Sequence, residues 1–405
     1  MQFLASSFFS TEPDSREVSD IAADSLLRDF SGEAPKAILV YSTVNHDQAV
    51  VLQELRQRFG PSPAIVGCSV QGVVGNRSLT EEGMVLGAMG FGGDGLSVAI
   101  GAEREIQTDS QEKGKRLALH LKSELGHDPG VVILLYDPLC GTDVEAWLRG
   151  MRLELNCPLL GGGSGQPWGP PVQTFQYLDQ EVFSHGIVAL ALSGPFTPII
   201  GVCHGTLSAG EYMTVTKAEG NRILEIDGHP AISIWRQITG CDEGDMVHQN
   251  HMAAWALGIE QTGQAQIAAN GREAGQKIRG AFGFDFETGS VILQAAVPVG
   301  TKVKLQRRTV ETVLQGSAKM GEDLKKKLAG RTPWAVLGFE CAARTFPFLG
   351  PEKTMQEHQS LRSEIAPDSP WLGMMAWGEI GPCDGQPAFH NYTYPVLALV
   401  DAVLG

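Results

Sequence analysis

Residues 38–42 read ILVYS, and residues 133–137 read ILLYD, 95 positions further along the chain (136 − 41 between the two tyrosines). A serine in a glycine-rich turn follows each tyrosine at the same distance, as Ser69 and Ser164, since 164 − 69 is also 95. Between each tyrosine and its serine lie a helical stretch, a proline and a second apolar strand. A repeated order with one fixed offset indicates an internal duplication.

Each copy therefore predicts a strand, a helix, a second strand, a glycine–serine turn and a third strand. A strand–helix–strand connection usually makes a right-handed parallel crossover, and the third strand is expected to return antiparallel. We predict a mixed α/β fold, in which duplicated β-α-β-β units form layered mixed sheets. The two copies are expected at about residues 30–101 and 126–205.

The chain is expected to divide into three parts. Its 405 residues are enough for two or three domains, at roughly 100–200 residues each. Residues 1–29 are predicted to be an N-terminal extension with a helix, and residues 30–205 to be the duplicated domain. Residues 206–405 are predicted to be a C-terminal module of related architecture, because the tail repeats the strand–helix–strand order more loosely.

Composition excludes several classes of function. With 43% hydrophobic and 19% charged residues the chain is that of a folded protein, and its net charge of −15 argues against binding to nucleic-acid phosphates. No apolar stretch is long enough to cross a membrane, and no secretory signal is present. The 7 cysteines are scattered without a C-x-x-C pair, which is typical of reduced thiols. A cytoplasmic protein without membrane insertion is expected.

The glycine–serine turns do not match a catalytic motif. A nucleophile elbow needs G-x-S-x-G, whereas residues 67–71 read GCSVQ and residues 162–166 read GGSGQ. No phosphate-binding loop or metal-ligand spacing is present either. The turns are interpreted as structural turns after buried strands, or as a binding site in which Ser69, Gly163 and Ser164 hold a small anion through hydroxyl and backbone N–H groups.

Polar side chains cluster at predicted strand ends in the C-terminal module. Cys341 and Arg344 follow one strand, Glu379 follows the next, and Asn391 and Thr393 precede the last. Such strand ends converge on the ligand crevice of open α/β sheets. The guanidinium of Arg344 suits a carboxylate, and Glu379 and Asn391 suit an ammonium or amide group. The alternative is that Arg344 and Glu379 pair and tie two loops together.

Five short motifs resemble those of the FIST family, the F-box and intracellular signal transduction proteins, which carry a FIST N domain followed by a FIST C domain. They are residues 64–69 (AIVGCS), 160–164 (LGGGS), 221–231 (NRILEIDGHPA), 378–381 (GEIG) and 390–393 (HNYT). The resemblance covers the chain from about residue 30 to residue 400. It implies a non-catalytic sensory protein that binds a small polar metabolite such as an amino acid.

The resemblance also implies expectations about partners. The chain leaves no room for an F-box or an output domain, so a stand-alone bacterial type is expected. Its signal would then pass to a separate protein partner, and the low charge density is compatible with a homodimer. No cofactor is expected from the residues themselves.

Two other functions are compatible with the sequence. Some FIST-like bacterial proteins are haem-containing nitric-oxide sensors, and a haem would need an axial ligand from among His185, His204, His229 and His390. An enzyme would use the Cys341 thiol, with His390 as the base within hydrogen-bond reach.

Overall fold

A computed structural model describes residues 3–167, 169–260 and 276–402. In these residues the chain forms three units of one strand order and an insertion in the third unit. Unit 1 comprises β1 (Leu4–Ser10), α1 (Ser15–Asp29), β2 (Ala37–Ser42), α2 (Gln48–Phe59), β3 (Ala64–Ser69), β4 (Val73–Val74), β5 (Leu79–Thr80) and β6 (Leu86–Gly92). Unit 2 comprises β7 (Ser97–Arg104), α3 (Ser110–Leu125), β8 (Val131–Tyr136), α4 (Val144–Glu154), β9 (Leu159–Gly163), β10 (Gln176–Leu178), β11 (Glu181–Phe183) and β12 (Gly186–Ser193).

Unit 3 is interrupted by the insertion after its first strand, β13 (Phe196–Cys203). The insertion comprises β14 (Thr206–Glu219), β15 (Arg222–Ile226), β16 (His229–Pro230), α5 (Ala231–Thr239), α6 (Glu243–Met246), α7 (Gln249–Ala254), β17 (Trp255–Ile259), β18 (Lys277–Asp285), β19 (Ser290–Leu293) and β20 (Lys302–Arg308). Unit 3 resumes with α8 (Val310–Leu328), β21 (Ala335–Cys341), a π-helix (Thr345–Leu349), α9 (Pro351–Ile365), β22 (Trp371–Ala376), β23 (Glu379–Cys383), β24 (Gln386–His390) and β25 (Tyr394–Asp401).

Strand pairing follows one pattern in all three units. The strands joined by a helix run parallel, as β2–β3, β8–β9 and β21–β22. The last strand of each unit returns antiparallel to the first of that pair, as β6–β2, β12–β8 and β25–β21. The predicted mixed α/β class with layered mixed sheets is therefore confirmed.

Each unit gives its hairpin to the sheet of another unit. The β4–β5 hairpin of unit 1 joins β22 in unit 3, and the β10–β11 hairpin of unit 2 joins β3 in unit 1. The β23–β24 hairpin of unit 3 joins β9 in unit 2. The three six-stranded sheets thus exchange hairpins in a closed cycle.

The inner faces of the three sheets meet in one apolar core. Leu39 and Met89 from the first sheet, Ile133 and Leu190 from the second and Leu337 from the third belong to this core. A pair of helices covers the outer face of each sheet: α1 and α2, α3 and α4, and α8 and α9. The insertion has its own seven-stranded sheet and its own core around Trp235.

Local sequence explains where the crossover helices begin. The Asp47 carboxylate accepts the Val50 N–H at the start of α2, and Asp143 accepts the Ala146 N–H at the start of α4. Acidic caps of this kind satisfy N–H groups that a helix leaves unpaired. The longest helix, α8, begins with a capping box between Thr309 and Thr312.

The first 29 residues, expected as an extension, contribute to the first sheet. Strand β1 pairs antiparallel with β6 along its whole length, and α1 packs on α2 over the outer face. The strand β14 begins at Thr206, next to the predicted domain boundary at residues 205 and 206. Within the described residues, none of the helices has the length and apolarity needed to span a bilayer.

Candidate ligand-binding site

Three turns meet where the three sheets converge, each following the second parallel strand of its unit. The Gly165 N–H donates to the Ser69 carbonyl over 2.9 Å, which joins unit 2 to unit 1. The Met375 N–H donates to Gly72 over 2.9 Å, and the Trp377 N–H donates to Gly163 over 2.9 Å. Units 1, 2 and 3 are therefore joined in a ring by main-chain hydrogen bonds at the carboxyl ends of these strands.

A cavity of about 320 Å³ lies beside this ring, between the units and the insertion. Its walls are mostly apolar, and none of the lining side chains is charged. Phe282 and Gln294 of the insertion form one side of the cavity, and Phe282 is 55% exposed. The lining residues are Gln71, Pro138, Leu139, Phe282, Gln294, Cys341, Ala342, Ala343, Ala376, Trp377, Gly378 and Asn391.

The polar groups of the cavity form a continuous chain, which we call the amide belt: Asn391, Gln294, Trp377 and Gln71. Asn391 Nδ2 donates to Gln294 Oε1 over 2.6 Å, and Gln294 Nε2 donates to the Trp377 carbonyl over 3.1 Å. Trp377 Nε1 donates to Gln71 Oε1 over 2.8 Å. The belt crosses from the insertion through unit 3 to unit 1, so it fixes the orientation of all three amides.

The belt ends at two further groups. The Gly280 N–H donates to Asn391 Oδ1 over 3.0 Å, and Gln71 Nε2 donates to the Glu81 carboxylate over 2.9 Å. Glu81 also accepts from the Thr345 hydroxyl, and its burial raises the pKa of its carboxyl group. Each of the three amide nitrogens donates one of its two N–H groups in these contacts.

Gly163, a predicted site residue, does not line the cavity but bonds to Trp377 and Gly378, which do. Its N–H donates to the Gly378 carbonyl over 2.8 Å, and its carbonyl accepts from Trp377. A Cβ at position 163 would lie 2.2 Å from the Trp377 carbonyl oxygen, so only glycine permits this approach of β9 to the turn after β22.

Cys341 and Asn391, both predicted, line the cavity, and Glu379 and Thr393 lie together next to it. The Glu379 carboxylate accepts the N–H and the hydroxyl of Thr393, each over 3.0 Å, and also bonds the Cys341 thiol. Glu379 is fully buried without an ion-pair partner among the described residues, and this burial raises its pKa to about 8. Burial likewise holds the pKa of the Cys341 thiol well above its ordinary value.

Arg344 lies away from the cavity and does not pair with Glu379, so the predicted alternative of a tie between those two residues is wrong. Its Nε donates to Glu340 over 3.2 Å, and its Nη2 donates to Ser317 over 2.5 Å and to the Glu357 carboxylate. Although burial lowers the pKa of the guanidinium, the Glu357 carboxylate reverses that effect and the pKa is raised. The guanidinium is therefore occupied by the protein's own carboxylates.

Ser69 and Ser164 are fully buried, and neither lines the cavity. The Ser69 hydroxyl accepts the Phe175 N–H over 2.9 Å, which holds the β10–β11 hairpin against β3. The Ser164 hydroxyl accepts from Gln176 Nε2 over 2.8 Å. The Ser69 contact joins units 1 and 2, and the Ser164 contact lies within unit 2. Both are the contacts expected for structural turns after buried strands.

The histidines considered for haem binding and for thiol catalysis do not line the cavity. Neither ring nitrogen of His390 bonds Cys341, so the base required for a thiol nucleophile is missing at this site. Burial lowers the pKa of His390 to about 3. None of the four histidines considered for haem lines the cavity, and the cavity is small for a porphyrin.

Three residues of the amide belt were not predicted from the sequence: Gln71, Trp377 and Gln294. Gln71 and Gln166 are another pair of residues at the 95-position offset (166 − 71), which was a signal that the turn continues past its serine. Trp377 directly follows β22, which ends at Ala376. Gln294 belongs to the insertion, and its distance from unit 3 in the sequence gave no indication of this contact.

Comparison with known proteins gives two matches to domain families. The FIST N domain model matches residues 36–229 and the FIST C domain model matches residues 231–382. The two models divide the chain at residue 230, inside the insertion.

Relatives of similar length occur in mycobacteria. An uncharacterized protein of Mycobacterium bovis is 28% identical over 396 residues, covering 96% of this chain and 97% of its own. An uncharacterized protein of Mycobacterium tuberculosis is 27% identical over 395 residues, covering 97% and 98%.

Among solved structures, the cyanuric acid hydrolase from A. caulinodans aligns over 100% of both chains, with 10% identity and a TM-score of 0.37. PurLQS from Thermotoga maritima aligns over 98% of this chain and 73% of its own, with 11% identity and a TM-score of 0.23. Neither likeness is close enough to support an argument.

Proposed function

The chain belongs to the FIST family, whose domains indicate a sensory role in signal transduction, and on that premise we propose that it binds a small metabolite in the cavity bordered by the amide belt. The observation that carries the proposal is the belt itself. It places three oriented amides around an uncharged cavity that is lined by residues of the insertion and of all three units.

Size and lining restrict the ligand. A volume of about 320 Å³ is at the lower end of the range for small-molecule sites, and it equals roughly ten waters at about 30 Å³ each. The apolar walls favour a ligand with an apolar body, and the amide N–H groups that line the cavity favour acceptor groups on the edge of that ligand. Of the amino acids expected for the family, those with apolar side chains meet both conditions.

A ligand that bridges the insertion and the units can transmit a signal. The belt joins Gln294 of the insertion to Trp377 of unit 3, so a ligand bound to both favours one arrangement of the two parts. The size of that shift is limited by the difference in the ligand's affinity for the two arrangements.

The test is a thermal-shift screen of the purified chain against amino acids, other carboxylates and uncharged amides. A ligand at a hundredfold excess over its Kd stabilises the folded state by about 2.7 kcal/mol. The matched control is Ala342→Leu, which fills the cavity without touching the belt. We expect hits that the Ala342→Leu variant no longer shows; hits of equal size in both proteins would place binding elsewhere and contradict the proposal.

A further inference from the structure

Arg308, at the end of β20, is a buried cation that lacks an ion-pair partner among the described residues. Its exposure is 2%, and its Nη1 donates to the Ala253 carbonyl over 2.7 Å. Its Nε and Nη2 are sealed from solvent and have no hydrogen-bond partner. Burial lowers the pKa of Arg308 to about 10, so the guanidinium is still charged at neutral pH.

Two aromatic rings hold the guanidinium plane of Arg308. Its Cζ lies 4.1 Å from the Tyr392 ring centroid and 4.4 Å from that of Phe348. Such stacking orients the plane and leaves the edges of the guanidinium free.

The Phe348 and Tyr392 rings both belong to residues with an uncommon backbone conformation. Phe348 belongs to the π-helix, and Tyr392 has a φ of +60°, in the left-handed region that β-carbons disfavour. π-Helical turns and left-handed residues are enriched at functional sites. A Cβ on Gly280 would lie 2.8 Å from the Tyr392 ring, so the ring also requires a glycine beneath it.

The unpaired edge of Arg308 has a specific chemistry. Nε and Nη2 form the side of the guanidinium from which two parallel N–H groups point, which is the geometry that a carboxylate binds in bidentate fashion. Arg344 and Arg279 are also buried and each keeps one nitrogen without a partner, but their charges are paired with carboxylates of the protein, Glu340 and Glu357 for Arg344 and Glu145 for Arg279. A buried charge without a partner is costly, so the free edge of Arg308 requires an explanation.

The Tyr392 ring, on which Arg308 stacks, lies close to the cavity. Cys341 and Tyr392 belong to one apolar cluster, against which Ala343 packs, and both Cys341 and Ala343 line the cavity. One layer of side chains therefore separates the cavity from the ring on which Arg308 stacks. Arg308 also ends the strand by which the chain returns from the insertion to α8.

We propose that the Nε–Nη2 edge of Arg308 anchors the carboxylate of the ligand held in the cavity. This inference rests on the proposed function and names the acidic group of the ligand. A carboxylate is favoured over a phosphate because one guanidinium supplies one positive charge and two aligned donors, which match a planar monoanion.

The experiment uses probe compounds on the full chain. The probes are 3-phenylpropionate and hexanoate, their carboxamides, and phenylphosphonate, with affinity measured by calorimetry. The variants are Arg308→Lys, which keeps the charge but loses the paired donors, and Arg308→Gln. The matched control is Arg279→Lys, a buried arginine that also lies against an aromatic ring but contacts Glu145.

For the wild type we expect the carboxylates to bind more tightly than their carboxamides and than the phosphonate. Loss of a charge-assisted pair of hydrogen bonds should weaken carboxylate binding roughly 10- to 100-fold in Arg308→Lys, with carboxamide affinity unchanged. Arg279→Lys should keep the preference. Should either Arg308 variant fail to fold, the Nε–H NMR signal of Arg308 in the wild type must shift with the carboxylates and not with the carboxamides.

The outcomes separate this inference from the function on which it rests. Equal affinity for carboxylates and carboxamides, with both lost in Ala342→Leu, would overturn the role of Arg308 and leave the cavity as the binding site. Tighter binding of phenylphosphonate would overturn the choice of a carboxylate. No binding of any probe, together with an empty thermal-shift screen, would overturn both proposals.

Discussion

The side-chain amide of Asn391 donates to Gln294 over 2.6 Å, and its oxygen accepts the Gly280 N–H over 3.0 Å. One asparagine thus ties the turn before the last strand of unit 3 to two segments of the insertion. Because the side chain is buried, both partners depend on it for their hydrogen bonds.

Replacing Asn391 with leucine should therefore reduce both stability and ligand affinity. The change leaves the Gly280 N–H and Gln294 Oε1 unpaired, at a cost of about 1–3 kcal/mol for a buried group. Urea unfolding of Asn391→Leu measures the first effect, and the thermal-shift hits measure the second. Asn45→Ala removes an exposed side-chain hydrogen bond to Gly83 and should change stability by less than about 0.5 kcal/mol; an equal loss in both variants would contradict the role of the belt.

Arg344→Ala should destabilise the fold. The guanidinium balances Glu340 and Glu357 in a fully buried network, and removing one partner of a buried ion pair costs about 3–5 kcal/mol. Denaturant unfolding is the measurement. In the control, Arg58→Ala removes ion pairs with Asp20 and Asp24 at the surface and should cost about 0–1 kcal/mol. A stable Arg344→Ala protein that no longer binds ligand would instead restore the anchor role predicted from the sequence.

Glu379 should make stability depend on pH between about 4.5 and 8. Its folded-state pKa is about 8 against an ordinary value of 4.5, so the folded state holds the proton more tightly. Its stabilising contribution is complete below pH 4.5 and is lost as the pH rises through 8. The free energy of unfolding should fall over this range in the wild type relative to Glu379→Gln, which does not titrate. Parallel pH profiles of the two proteins would show that Glu379 has no raised pKa.

Gly163→Ala should disrupt the approach of β9 to the turn after β22. Its Cβ would lie 2.2 Å from the Trp377 carbonyl oxygen, and relief of such a clash in a packed site costs about 1–3 kcal/mol or more. Gly283→Ala is the matched control, because its Cβ would meet Ile292 at an ordinary 3.6 Å. Thermal unfolding should separate the two variants clearly; equal midpoints would mean that the turn shifts without cost.

Local patterns in the sequence were sufficient for the strand–helix–strand part of each unit, whereas β1 and the exchanged hairpins were not predicted. The ILVYS and ILLYD runs are β2 and β8, and the aspartates before the helices are their caps. These features depend on neighbouring residues, so periodicity and capping reveal them. The duplication that the 95-residue offset indicates stays a prediction about the history of the chain.

Periodicity and capping could not predict the contacts between segments that are far apart in the sequence. Gln71 and Trp377 are 306 positions apart and meet only because hairpins are exchanged between units. Cys341 and Asn391 were identified because both lie next to strand ends, where α/β proteins place ligands. The sequence also could not distinguish Arg344 from Arg308, because both are arginines at or near the end of a strand. In the structure the two differ because Glu340 and Glu357 lie beside Arg344 and pair with its guanidinium.

The closed exchange of hairpins also constrains the order in which the chain can fold during its synthesis. The outer edge of β9 stays unpaired until β23 is synthesised, 216 residues later (379 − 163). The β4–β5 hairpin likewise has no partner strand until β22 is synthesised. Until then the nascent polypeptide carries an open sheet edge, which is a template for association with other chains. A polypeptide terminated after residue 230 would keep that edge permanently, so self-association is its expected fate.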